Sequence, residues 1–267
     1  MGTVGIAGSA SPAAFRAAGS VEQVYVTGLA PKAKASLVSP KGETLYTQNA
    51  TSLGGLLFRN VPPAKGYRVR LASDGSLSEP LEVHNANPAP WNPEIYNQEI
   101  APGGYGYLTT RDGTQLSYMI HPPTSPAGQP GLPPDTPLPS APDVPYLPPY
   151  PTLIEYSGYG YANPDGPQSG IAVLANLMGF AVVDVNIRGT GCSGGAFDFF
   201  EMLQSLDGYD VIETIARQPW VLHNKVGMMG ISYGGISQLF TAQTQPPSLA
   251  AISPLSVLDA AATTLYP

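Results

Sequence analysis

The chain is short of several residue types on which enzymes depend. It has one cysteine, Cys192, in 267 residues, which excludes an internal disulfide and a cysteine-rich metal site. Histidine is scarce too, with only His84, His121 and His223. They share no ligand-like spacing, so no metal site is expected, and nothing calls for an organic cofactor. Charged residues are only 12% of the chain, the net charge is −7, and no basic run occurs. Nucleic acid is therefore not an expected partner. No apolar run approaches the length of a membrane span, so no membrane partner is expected.

What is present is apolar surface and backbone punctuation: 43% hydrophobic residues, 30 glycines and 30 prolines. The length suits one large domain or two ordinary ones. Residues 1–20, "MGTVGIAGSASPAAFRAAGS", read as a disordered small-residue leader. The other reading, the tail of a signal peptide, lacks the basic and apolar front such peptides carry. Cytoplasmic and secreted locations both stay open. Residues 21–88 alternate apolar and polar positions between Gly, Pro and Asn breaks, the pattern of a small β-sandwich. Within it "NVPPAKGYRVRL" resembles the closing hairpin of fibronectin-type or carboxypeptidase-regulatory-like domains. No catalytic constellation lies there, so an accessory role is expected. Residues 89–104 read as a linker.

A second domain is expected over 105–267. It opens with a hairpin turning at Asp112-Gly113, followed by a proline-rich loop, 124–151. Proline at that density excludes helix and inner strand. A surface loop fits the segment better than a ligand for a proline-recognition module. From 151 onward buried strands ("PTLIEYS", "FAVVDVNIRG", "KVGMMGIS", "LAAISPLS") alternate with helical stretches. That order implies a parallel sheet covered on both faces, with its site at the carboxyl ends of the strands.

The stretch "GMMGISYGGIS" carries the chemistry. Ser232 closes an apolar strand and opens a helix, with Gly230 two residues before it and Gly234 two after. A nucleophile on so sharp a bend needs bare neighbours, because strand and helix pass very close. The helix N-terminus adds amides and a positive dipole that favour developing negative charge. A glycine-flanked helix cap is the plainer alternative.

Four blocks, "PTLIEYSGYGYANP", "VVDVNIRGTGCSGGAFDFFE", "DGYDVIETIARQPW" and "KVGMMGISYGG", have the order and spacing of the cocaine-esterase-like and X-Pro dipeptidyl-peptidase (S15-type) hydrolases, which the chain resembles over about 105–267. The resemblance implies an α/β-hydrolase fold and acyl transfer through a serine ester. It also implies an oxyanion hole made of the Tyr159 hydroxyl and the Tyr233 backbone amide. Without it, Tyr159 is one tyrosine of a loop that also holds Tyr156 and Tyr161. The "NIRGTGCSGG" turn reads as scaffold, with Arg188 paired to an acid such as Asp184 or Glu201. No Lys-Ser/Thr follows, so it is not a phosphate-binding loop. Cys192 reads as a buried or loop thiol.

The mechanism then lacks a part. A serine nucleophile needs a histidine oriented by an acid, in the chain order Ser, acid, His. Only 35 residues follow Ser232, and none is histidine. His223 belongs to the far end of the strand leading into Ser232; His84 and His121 read as structural or exposed. Asp259, the only acid after Ser232, sits poorly for the triad, and Asp207 and Asp210 read as helix surface or capping. The expectation is the N-terminal part of a longer enzyme, its hydrolase sheet cut short after the nucleophile helix and the next strand, with an incomplete triad. The function expected is a serine hydrolase of X-Pro dipeptidyl-peptidase or esterase type, acting on a small-molecule ester or short peptide. The other reading is a non-catalytic fragment or a binding or scaffold protein. Oligomeric state cannot be read from the sequence.

Overall fold

The computed structural model describes residues 15–123, 146–166 and 168–258. The start of the leader, most of the proline-rich loop and Asp259 lie outside the described residues. The chain divides into two compact units, Met1–Ala86 and Asn87–Pro267.

Among the described residues, the first unit has seven strands in two sheets: β1 (Arg16–Gly19), β2 (Gln23–Thr27), β3 (Lys34–Val38), β4 (Thr44–Asn49), β5 (Leu56–Arg59), β6 (Ala64–Leu71) and β7 (Leu81–Val83). One sheet runs β1-β2-β5 and the other β4-β3-β6-β7. Alternate residues of the two sheets fill one core, among them Val24, Val26, Phe58, Leu37 and Val69, all essentially buried. This is a small all-β sandwich. The leader ends earlier than its composition suggests. Arg16–Gly19 pairs antiparallel with β2, Arg16 opposite Thr27. The strand ends on glycine because a Cβ at Gly19 would collide with the Glu82 carbonyl.

The second unit adds β8 (Gly104–Thr109), β9 (Gln115–His121), β10 (Tyr150–Ser157), α1 (Gly170–Leu177), β11 (Ala181–Asn186), α2 (Met202–Ala216), β12 (Val221–Ile231), α3 (Tyr233–Gln243) and β13 (Leu249–Leu255). Their sheet order is β13-β12-β10-β11-β9-β8. The first four strands are mutually parallel, and β9 and β8 extend the sheet antiparallel. Strand β11 is buried at every position, as a strand covered on both faces must be. Alternate residues divide the faces. Ile154, Val183 and Met228 pack with Val211 and Ile215 of α2, whereas Leu153, Val182 and Met229 pack with Ala172 and Ala175 of α1. The second unit is thus an α/β unit, a mostly parallel sheet with helices on both faces, and the all-β sandwich precedes it in the chain.

Part of the stretch read as a linker belongs to this unit. Pro93–Tyr96 is a short 3-10 turn capped by the Asn92 side chain. Tyr96 is 2% exposed and donates its hydroxyl to Asp210 at 2.7 Å. Ile100 is held through its amide by Gln218 and through its carbonyl by the Trp220 indole.

Candidate active site

Strand β12 delivers Ser232 to the carboxyl edge of the sheet, and α3 starts at the next residue. Ser232 has φ 56° and ψ −118°, a conformation non-glycine residues adopt only when their surroundings hold it. Three backbone hydrogen bonds do so. Its amide donates to Leu255 O at 2.9 Å, and its carbonyl accepts from Gly235 and Ile236 at 2.9 and 2.8 Å. The side chain is exposed and makes no capping bond to α3, so the Oγ is free to face a substrate.

The glycines have separate reasons. Gly230 has φ +152°, and a Cβ there would sit 2.7 Å from Gly234 O. At Gly234 a Cβ would press on Ser157 Cβ at 3.4 Å, and at Gly235 it would strike the Leu255 carbonyl. The elbow is therefore a triple close approach of β12, α3 and β13.

Tyr159, just beyond β10, is 48% exposed. Its phenolic oxygen accepts the Tyr233 amide hydrogen at 3.1 Å. The three residues singled out in the sequence, Ser232, Tyr159 and Tyr233, thus lie together. The Tyr233 ring points the other way, donating its hydroxyl to Gln204 Oε1 at 2.7 Å and stacking on Phe200 at 4.4 Å. Burial pushes that phenol up to about 12, so it stays protonated. Beside Tyr159 lies a cleft of about 340 Å³ lined by Gly158, Tyr159, Gly189, Thr190, Phe197 and Tyr233. Sequence reasoning missed Phe197 and Thr190 as cleft walls; the aromatic density of "AFDFF" signalled Phe197 alone.

The glycine-rich turn after β11, which lends Gly189 and Thr190 to that cleft, has a different anchor from the one expected. Arg188 is 1% exposed and pairs with neither Asp184 nor Glu201. It grips Asp207 through Nε and Nη2, both at 2.6 Å, and reaches Asp112 Oδ2 at 3.0 Å. These carboxylates hold the guanidinium above its ordinary range. Asp207 and Asp210 are therefore not helix surface: both are 0% exposed. Asp210 takes Arg111, with Nη2 at 2.8 Å, and α2 turns its third acid, Glu213, onto the amide and hydroxyl of Ser248. A helix with all three carboxylates bonded inward has a weak amphipathic pattern, which hid this arrangement. Cys192 is exposed.

Neither histidine of the second unit lies at Ser232. His223 stands at the opposite end of β12, His84 belongs to the first unit, and His121 Nε2 is 3.2 Å from Asp184 Oδ2. Among the described residues no cluster of His, Cys, Asp and Glu could hold a metal ion. No described helix is long and apolar enough to cross a membrane.

Residues 140–266 match the X-Pro dipeptidyl-peptidase (S15) family. A protein of Mycobacterium bovis named as a serine esterase is 36% identical over 77 residues, which is 28% of this chain and 12% of that protein. The match therefore spans far less than two thirds of that relative. Among solved structures, a CocE/NonD family hydrolase from Staphylococcus aureus is 23% identical, with a TM-score of 0.46 over 59% of this chain and 28% of the other. An alpha-amino acid ester hydrolase is 18% identical, with a TM-score of 0.42 over 64% and 29%. Over residues 140–266, a little under half of the chain, the second unit is thus similar to the X-Pro dipeptidyl-peptidase (S15) family.

Proposed function

We propose that the second unit carries the nucleophile and oxyanion hole of a serine hydrolase acting on an ester or a peptide or amide bond of a small molecule or short peptide. The observation that carries this reading is the strained Ser232 followed by the Tyr233 amide, which the Tyr159 phenol meets at 3.1 Å. Ser232 Oγ attacks the carbonyl carbon and loses its proton to a base. The carbonyl oxygen takes up the negative charge and receives hydrogen bonds from the Tyr159 hydroxyl and the Tyr233 amide. The C–O or C–N bond then breaks, the leaving group takes the proton, and water later hydrolyses the serine ester.

The base in this reading is neither histidine of the second unit, since His121 lies against Asp184 and His223 stands at the far end of β12. Esterase and X-Pro dipeptidyl-peptidase activities both fit this chemistry. The same shortage of histidine favours a second reading, a binding or scaffold unit that retains the elbow without turnover. Fluorophosphonate labelling followed by peptide mass spectrometry separates them. The hydrolase reading expects slow labelling confined to Ser232 and abolished in Ser232→Ala; a chain inert to the probe, alone and within a longer natural form, leaves the scaffold reading.

A further inference from the structure

Strand β10 carries an acid where a sheet covered on both faces normally carries an aliphatic side chain. Glu155 is 1% exposed. Its Oε2 accepts from the hydroxyl of Ser169, the N-cap of α1, at 2.7 Å. Its Oε1 has no hydrogen-bond partner among the described residues. That oxygen lies against the first turn of α3, 3.7 Å from where a Cβ on Gly234 would stand. Gly234 follows Tyr233, whose amide is one of the two oxyanion donors in the reading above.

The groups facing Glu155 leave its charge uncompensated. Strand β11 brings the buried Asp184 directly alongside in register. His121 of β9 contacts that aspartate, not Glu155. Tyr161 faces both carboxyls from the loop after β10; α1 offers a hydroxyl and α3 a glycine. No lysine or arginine is among the groups acting on Glu155. Burial without a countercharge favours the neutral acid, whereas two helix N-termini converging on it favour the carboxylate.

We propose that Glu155 is a positioning residue of the oxyanion site that works through its proton. Neutral, it packs under α3 without electrical effect; ionised, it sets a negative charge behind the Tyr233 amide and weakens that donor's hold on an oxyanion. This rests on the hydrolase reading. Burial, with Asp184 adding to it, raises the Glu155 carboxyl to about 7, so the change falls in the neutral range. A unit charge within one residue of the donor, in a partly screened interior, alters oxyanion stabilisation on the order of tenfold.

The test follows the Tyr233 amide nitrogen by NMR from pH 5.5 to 8.5. The resonance is expected to titrate with a midpoint near 7 in the wild-type chain and to stay flat in Glu155→Gln, which keeps the shape, His121 and Asp184. Ser169→Ala, which removes a hydrogen bond to the carboxylate, should move the midpoint upward. A flat wild-type trace, or an unchanged titration in E155Q, overturns the proposal. In parallel, the ratio of wild-type to E155Q fluorophosphonate labelling at Ser232 should fall about tenfold across the range, the ratio cancelling the serine's own pH dependence. A constant ratio overturns the effect on the oxyanion site. Absence of labelling at every pH, in this chain and within a longer natural form, with the Tyr233 titration intact, sinks the hydrolase reading and leaves the link between Glu155 and Tyr233 supported.

Discussion

The Tyr233 amide donates to the Tyr159 hydroxyl oxygen at 3.1 Å. The two donors that the proposed hydrolase reading assigns to one oxyanion are therefore paired with each other. The amide hydrogen is spent on the phenol, whose own hydrogen remains to be given. For both to reach a single oxygen, the Tyr159 ring must swing outward, and its 48% exposure leaves room for that.

Removing the phenolic oxygen tests this pairing. Tyr159→Phe should leave thermal stability nearly unchanged, because the ring is half in solvent. It should slow fluorophosphonate labelling of Ser232 about 100-fold, the usual effect of losing one oxyanion donor. Labelling at the wild-type rate would remove Tyr159 from the site.

The elbow glycines differ from turn glycines elsewhere. Gly230→Ala forces a Cβ to within 2.7 Å of a backbone oxygen and should cost roughly 2–4 kcal/mol in urea unfolding. Gly42 also has positive φ but nothing within 4 Å. Gly42→Ala should cost only about 1 kcal/mol. Equal costs would mean that backbone strain, not the close approach to α3, governs Gly230.

Much of this site was legible because it is built from backbone constraints. Gly230, Ser232 and Gly234 declare themselves through spacing alone, and a strand–turn–helix order follows from apolar periodicity. Tyr159 was visible only through resemblance, since a half-exposed tyrosine in a tyrosine-rich loop has no local signature. The acids were misread for a physical reason. Asp207 and Asp210 look like solvent-facing helix residues until Arg188 and Arg111 arrive from β-strand ends 19 and 99 positions away. Glu155 and Asp184 did carry a signal, each being a lone acid inside an otherwise apolar strand.

The Arg188 anchor should be costly to break. Asp207→Asn removes the bidentate partner of a fully buried guanidinium and should destabilise the second unit by about 3–5 kcal/mol. Asp112→Asn, which removes one contact at 3.0 Å, should cost less. Equal losses measured by chemical denaturation would contradict the bidentate hold as the main anchor.

Glu155 also makes stability depend on pH. Its carboxyl is raised from 4.5 to about 7 on folding, so the unfolded chain releases this proton first. The folded state keeps its full advantage below about 4.5 and loses it as pH climbs toward 7, a decline of about 3 kcal/mol. Above that the contribution is level. The burial of Asp184 acts in the same direction, so Glu155→Gln should flatten the wild-type decline in part. An undiminished slope in E155Q, read from urea midpoints between pH 4.5 and 7.5, would assign the whole effect elsewhere.

The Ser232 amide is tied to Leu255 O at 2.9 Å, and Leu255 ends β13, the outermost strand of the described sheet, with β12 as its one neighbour there. The strained serine thus borrows its rigidity from the rim. Fraying of β13 would free that amide while the two bonds from α3 to the Ser232 carbonyl remain, so the bend is anchored from two elements, one of them at the sheet's edge.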